Sequence, residues 1–320
     1  MGMFDFLAKK IGVDAGSDNF RLIENDKIIF TDKTILSVDI VTGIVSGIGS
    51  LIKMSATNRL IKPVNYAITD FQAFEEYLKN AIIKGFDKTG FFKQSLISYF
   101  CIPSAINEVE KRAIRDSAEY SGSKEVFMIQ SSVASSINLN LLFEKKNYVL
   151  IEFSASKFEI TIFSDSIPVL IGSIRLGTNK LNTLIQNYIL RTTKNKIEIK
   201  KIESVLNKLQ ETSDNKNELL NSIQIDEIAF DTIINSFVTI ANDEVNTVFE
   251  ALKSNNNYSK ILSNGIYITG GGTYYKYVIA KILFGIEINK TFSADPLLDC
   301  INGLKKVISD SKLYSDYLMK

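Results

Sequence analysis

Short apolar runs broken by polar turns dominate the start of the chain. Ile11-Gly12-Val13-Asp14 predicts a strand ending in a carboxylate, Ala15 to Asn19 a polar turn, and Phe20 to Ile23 a second strand. The design recurs far downstream. Tyr148-Val149-Leu150-Ile151-Glu152 runs through Phe153-Ser154-Ala155-Ser156-Lys157 into Phe158 to Phe163, again with an acid where the first strand meets the turn. This weak internal repeat predicts a duplicated α/β chain with halves at residues 1–145 and 146–320.

Each half continues with alternating strand and helix signals. Leu96 to Pro103 reads as a strand that delivers a helix opening at Asn107, whose spacing to Glu110 is that of a capping box. Val109, Ala113, Ile114 and Ala118 fall on one predicted helical face, and Gly122 supplies a left-handed stop. A strand from Glu125 to Ile129 and a helix of small residues from Ser131 follow. In the second half, Ser166 to Ile174 predicts a strand, Leu181 to Leu190 a helix, and Gly265 to Ile268 a buried strand entering Thr269-Gly270-Gly271-Gly272-Thr273. Two insertions interrupt the pattern. One spans about 32–64, where Gly43, Gly47 and Gly49 among Val and Ile predict short twisted strands. The other spans about 180–240 and includes the solvated, Lys-, Glu- and Asn-rich stretch from Arg191 to Asn221.

Composition narrows the chemistry. The 320 residues carry 37 Lys+Arg against 36 Asp+Glu, a net charge of +1, which lacks the basic footprint of nucleic-acid binding. The absence of histidine excludes a His-based triad and a Cys/His zinc site. Two distant cysteines, Cys101 and Cys300, do not make a disulfide framework, so the expected compartment is a reducing cytoplasm. No apolar run reaches the roughly 20 residues of a membrane-spanning helix, and the start is too short for a secretory signal. Gly2 suggests myristoylation, but Phe6 stands where Ser or Thr is needed.

The two hairpins and the triple glycine are suited to one task. Backbone N–H groups in tight turns cradle phosphates, an acid at the end of each inner strand holds Mg²⁺ through water, and a glycine turn admits a flat base or ribose.

The stretch Cys101-Ile102-Pro103, Val109 to Ala118, Gly122 and Glu125 to Ile129 resembles the most characteristic segment of the MreB family, the bacterial actins. The likeness extends through Ile61-Lys62-Pro63, Ser173-Ile174-Arg175-Leu176-Gly177, Thr269 to Gly272 and Asp295-Pro296-Leu297, over nearly the whole chain. It implies an actin-like ATPase fold of the actin/Hsp70/hexokinase kind: duplicated ribonuclease H-like domains with two small inserted subdomains. It also implies ATP or ADP with Mg²⁺, self-association or assembly with related MreB paralogues in filaments, and a peripheral place at the inner face of the cell membrane in service of cell shape.

Carried over position by position, the resemblance assigns nucleotide contacts to Asp14, Gly16, Ser17, Asp18 and Asn19 in the first hairpin. It assigns others to Ser154, Ala155, Ser156 and Lys157 in the second, to Lys200, Lys201 and Glu203, and to Gly270, Gly271, Gly272 and Thr273. Asp14 and Glu152 are the implied Mg²⁺ acids.

Departures from the family pattern are as informative. The second hairpin should read Asp-Ile-Gly-Gly-Gly-Thr, and Lys157 in its turn either binds a phosphate or occupies its place. Where relatives carry Glu-Glu-Pro, with the acid before Pro orienting water, this chain has Gln130-Ser131-Ser132, which supplies no carboxylate base. Lys200-Lys201-Ile202-Glu203 rearranges an expected Glu-Arg-x-Lys. Hydrolysis is therefore expected to be slow or absent. Phe4, Phe6 and Leu7, followed by Lys9 and Lys10, suggest an amphipathic membrane contact. Two other readings stay open: a non-polymerising actin-fold membrane adaptor, and a small-molecule kinase, which lacks its catalytic acid here.

Overall fold

A computed structural model describes residues 8–53, 55–86, 95–210 and 215–320. The chain divides into two compact units, Met1–Leu142 with Leu298–Lys320, and Phe143–Leu297.

The first unit opens with an antiparallel meander of β1 (Lys9–Ala15), β2 (Asn19–Glu24) and β3 (Lys27–Lys33). A separate three-stranded sheet follows, with β4 (Leu36–Asp39) between β5 (Val45–Ile48) and β6 (Asn58–Ile61). Gly43, in the turn between β4 and β5, and Gly49, just after β5, have positive φ, as such tight turns favour. A small hairpin of β7 (Val64–Asn65) and β8 (Ala67–Ile68) leads to α1 (Phe71–Gly85), capped by the Asp70 carboxylate on the Ala73 N–H. Then come β9 (Leu96–Ile102), α2 (Glu108–Tyr120), β10 (Ser123–Gln130) and α3 (Ser131–Asn138). The main sheet runs β10-β9-β1-β2-β3, with β9 parallel to both β1 and β10.

The capping box of α2 forms in both directions: Glu110 N–H donates to Asn107 Oδ1 at 2.9 Å and Asn107 N–H to Glu110 Oε2 at 3.1 Å. Gly122, with φ +101°, ends the helix. One predicted face member is wrong. Val109 is 78% exposed, and the buried stripe is Ile114, Ser117 and Ala118. Val109 lies in the first helical turn, ahead of the stretch in which the buried stripe begins.

The short helix α4 (Leu141–Glu144) carries the chain across the boundary. The second unit repeats the plan with β11 (Tyr148–Phe153), β12 (Phe158–Ser164) and β13 (Ile167–Ile174) in a meander. Helices α5 (Thr178–Thr193), α6 (Ile199–Lys208), α7 (Lys216–Ser222), α8 (Glu227–Leu252) and α9 (Tyr258–Asn264) precede β14 (Ile266–Thr269). After α10 (Lys276–Ile282) and β15 (Lys290–Phe292), the sheet is complete in the order β13-β12-β11-β14-β15. Strand for strand this is the order of the first sheet, so the repeat inferred from the two hairpins is a repeat of topology. Its core gathers Phe153, Phe158, Phe230 and Phe237, while Phe20, Phe74, Tyr77 and Phe100 fill that of the first unit.

The last helix, α11 (Asp299–Ser309), corrects the division read from sequence: residues 298–320 belong with the first unit, not with the second half. Its buried stripe of Ile301, Leu304, Val307 and Ile308 packs against α3 and β1. Gly303 permits the approach, because a Cβ there would sit 1.8 Å from the Ala134 carbonyl oxygen. Beyond it, Met319 and Met128 exchange main-chain hydrogen bonds of 2.8 and 2.9 Å along β10.

Gly303→Ala is expected to destabilise the first unit by about 1–3 kcal/mol through overpacking. Gly47→Ala, whose Cβ would meet only Ile52 Cγ1 at 3.6 Å, is expected to change stability by less than about 0.5 kcal/mol. Urea unfolding of the two variants beside the parent checks the contrast.

Candidate functional site

In the first unit, pairing of β1 with β2 sets Asp14 opposite Arg21, and pairing with β9 sets it beside Cys101. The Arg21 Nη1 reaches the Asp14 Oδ2 at 3.0 Å, with both side chains largely buried. Asp18, in the turn, is held by Lys33 at 2.6 Å and touched by Asn19 Nδ2 at 3.4 Å. Ser17 Oγ accepts the Tyr66 N–H at 2.9 Å, and the Gly16 carbonyl accepts from Thr34 Oγ1 at 2.6 Å. The hairpin residues named from sequence therefore lie together, and much of their hydrogen bonding goes to the protein. At the end of β10, Gln130 Nε2 donates to the Ser104 carbonyl at 3.2 Å, and Ser131, nearly buried, opens α3. Neither brings a carboxylate to this place.

In the second unit the register sets Glu152 opposite Glu159, with Thr269 on its other side. Two acids facing each other inside a sheet cost several kcal/mol unless a cation is shared between them. Lys157 is that cation. Its Nζ lies 3.0 Å from Glu152 Oε2 and 3.0 Å from Glu159 Oε1, and its side chain is only 9% exposed. Burial alone would push the ammonium's pKa down. The two carboxylates outweigh burial and hold it above the ordinary lysine value. Ser173 Oγ donates to the other Glu159 oxygen at 3.2 Å. Of the two roles that sequence leaves open for Lys157, the geometry fits the second: its ammonium is turned inward onto Glu152.

The turn itself is closed by Ser154 N–H to the Lys157 carbonyl at 2.9 Å. The carbonyls of Ser154 and Ala155 accept the Thr178 and Asn179 N–H groups at 3.0 and 2.9 Å, which docks the hairpin on the start of α5. Ser156 completes this turn.

The triple glycine has a packing reason of its own. Gly270 has φ +89°, and a Cβ there would lie 2.3 Å from the Phe153 carbonyl oxygen. At Gly272 a Cβ would enter the Phe153 ring at 2.6 Å, and at Gly271 it would meet Leu297 at 2.7 Å. Thr273 Oγ1 is bonded back to the Gly270 carbonyl at 2.8 Å.

Lys200 and Lys201 are exposed on α6. Glu203 turns inward: its Oε1 accepts Asn182 Nδ2 at 3.4 Å, and Asn182 Oδ1 accepts the Tyr275 hydroxyl at 3.0 Å. Asn182 and Tyr275 were not singled out from sequence, yet they join α5, α6 and the end of the glycine turn. The only trace of them is an Asn on the apolar face of α5 and a Tyr just after the glycines. Phe4, Phe6 and Leu7 lie outside the described residues. Lys9 and Lys10 do not extend an amphipathic segment but belong to β1, where Lys9 pairs with Glu24 at 2.9 Å.

The donor set does not fit a divalent cation. Each acid assigned to Mg²⁺ is bonded to a cation of its own hairpin, Asp14 to Arg21 and Glu152 to Lys157. Among the described residues, no group of three or more metal-ligating side chains is assembled.

A family model for MreB/Mbl proteins matches residues 8–316. The cell shape-determining protein Mbl of Bacillus cereus is 29% identical over 195 residues, 58% of this chain and 58% of that protein. MreB of Escherichia coli is 30% identical over 125 residues, 39% of this chain and 36% of that protein. The matched stretch thus spans 58% of the Mbl protein and 36% of the MreB protein. In three dimensions the chain is similar to MreB5 of Spiroplasma citri bound to AMPPNP, with a TM-score of 0.81 at 17% identity over 97% of this chain and 98% of that one. It is also similar to the chain of the MamK double helical filament, at a TM-score of 0.69 and 15% identity over 95% of this chain and 99% of that one. These likenesses establish the actin-like fold.

Lys157→Met is expected to destabilise the second unit by about 3–5 kcal/mol, because it leaves two carboxylates facing each other in the sheet. A Glu152→Gln/Lys157→Met/Glu159→Gln variant is expected to recover most of that loss. Chemical denaturation of both variants decides the matter.

Proposed function

We propose that this chain, which belongs to the MreB/Mbl family, is a cytoskeletal protein of cell shape that binds ATP or ADP weakly and hydrolyses ATP slowly or not at all. In this reading it assembles with itself or with related paralogues into filaments, peripheral to the inner face of the cell membrane.

The observation that carries the reading is the pairing of Asp14 with Arg21 and of Glu152 with Lys157. A carboxylate with Mg²⁺ leaves one net positive charge to meet a phosphate. The Asp14–Arg21 pair leaves none, and Glu152, Glu159 and Lys157 together leave one negative charge. Nucleotide affinity must then rest on turn amides and on the base and ribose contacts. The second turn also carries Cβ atoms at Ser154, Ala155 and Ser156, where the family has glycines. Hydrolysis lacks a carboxylate at Gln130 and Ser131 to orient water, and the same lack disfavours a small-molecule kinase.

Filament formation is supported by the family and by the likeness to MamK, whose chains form a double helical filament. Among the described residues, no helix is long and apolar enough to cross a membrane. Membrane contact is thus proposed at the surface only, through Phe4, Phe6 and Leu7, with many weak anchors summed along a polymer. The near-neutral charge gives no support to a nucleic-acid partner.

Single-turnover phosphate release at saturating ATP tests the enzymatic half, with a rate at least about tenfold below that of an ordinary family member expected, equivalent to about 1.4 kcal/mol in the barrier. An ordinary rate contradicts it. Electron microscopy with ATP, with ADP and without nucleotide tests assembly. Filaments in all three states are expected, whereas monomers recruited by one membrane partner favour the adaptor.

A further inference from the structure

The chain has two cysteines, 199 positions apart, and the fold brings them together within the first unit. Cys101 Sγ lies 3.7 Å from the main-chain oxygen of Cys300, and neither residue is in a disulfide. Cys101 is the penultimate residue of β9, flanked in the sheet by Asp14 and Ile129, and is buried. Cys300 is the second residue of α11, half-buried, just after the chain has returned from the second unit.

A disulfide needs Cα atoms about 4.4–6.8 Å apart. The Cys101 sulfur is in contact with the peptide group of Cys300, so the two residues are direct neighbours, and closure requires the Cys300 side chain to turn toward that sulfur. Cys300 is also the more accessible of the two, half-buried where Cys101 is buried, so peroxide reaches it first.

We propose that Cys101 and Cys300 are a redox-responsive pair that closes to an intramolecular disulfide under hydrogen peroxide and reopens with a thiol reductant. The Cys300 thiolate attacks one peroxide oxygen, the O–O bond breaks, and a sulfenic acid and water result. The Cys101 sulfur then attacks the sulfenic sulfur and releases the hydroxyl as a second water. Two thiols and one peroxide become one disulfide and two waters. The bond ties the start of α11 to the strand end beside Asp14, and so stiffens the segment by which the chain re-enters the first unit. This pair stands apart from the reading of the nucleotide residues and is unaffected by its failure.

The test is peroxide treatment of the full chain, followed by thiol titration, intact mass and non-reducing peptide mapping. The expected result is loss of both thiols, a mass lower by about 2 Da, a monomer on non-reducing gels, a peptide pair joining Cys101 to Cys300, and full reversal by dithiothreitol. Cys101→Ser and Cys300→Ser are each expected to abolish the mass loss. Two titratable thiols after treatment, a disulfide-linked dimer, or oxygen added without a cross-linked peptide overturns the proposal.

Discussion

A lysine ammonium buried between two carboxylates governs the second half of this protein. Glu152 and Glu159 face each other because the antiparallel register of β11 and β12 puts them there, and both lie inside a sheet that solvent barely reaches. Lys157, reaching back from the turn, is what lets the strands pair at that register. The same ammonium takes a lone pair of Glu152, the acid for which the MreB resemblance implies a hydrated metal ion. Arg21 does the equivalent for Asp14 from the opposite strand. The two halves thus meet one electrostatic problem with different residues: a cross-strand partner in the first and a turn residue in the second.

This arrangement separates the fold from the ligand. In a nucleotide-dependent site, the acids at the strand ends repel each other's surroundings until a cation arrives, and binding then contributes to stability by mass action. Here the compensating charge is covalently attached. The glycine turn points the same way. Gly270 is required by its positive φ and the Phe153 carbonyl, and Gly272 by the Phe153 ring, so glycine has a packing reason at both whether or not a base lies nearby.

How much of this was legible in the sequence follows from the range of each interaction. The Asn107–Glu110 capping box, the Gly122 stop and the two strand-turn-strand units depend on neighbours a few residues away, and all are present in the structure. Val109 was misplaced because helical periodicity does not say where along its length a helix first meets the core. Lys157 was visible as an anomaly in the turn, but its direction was not. That depends on Glu159, an acid in a strand buried on both faces and hence unmarked by any alternation. Asn182, Tyr275, the return of α11 to the first unit and the meeting of Cys101 with Cys300 all depend on tertiary contacts between distant segments, for which a single sequence carries no signal.

Arg21 and Lys157 hold the two carboxylates that a hydrated metal ion would need. Calorimetric titration with ADP in magnesium and again in EDTA measures this directly. The two affinities are expected to differ by less than about threefold, under 1 kcal/mol. A tightening of tenfold or more in magnesium would show that Asp14 leaves Arg21, or Glu152 leaves Lys157, for the metal, and would contradict this.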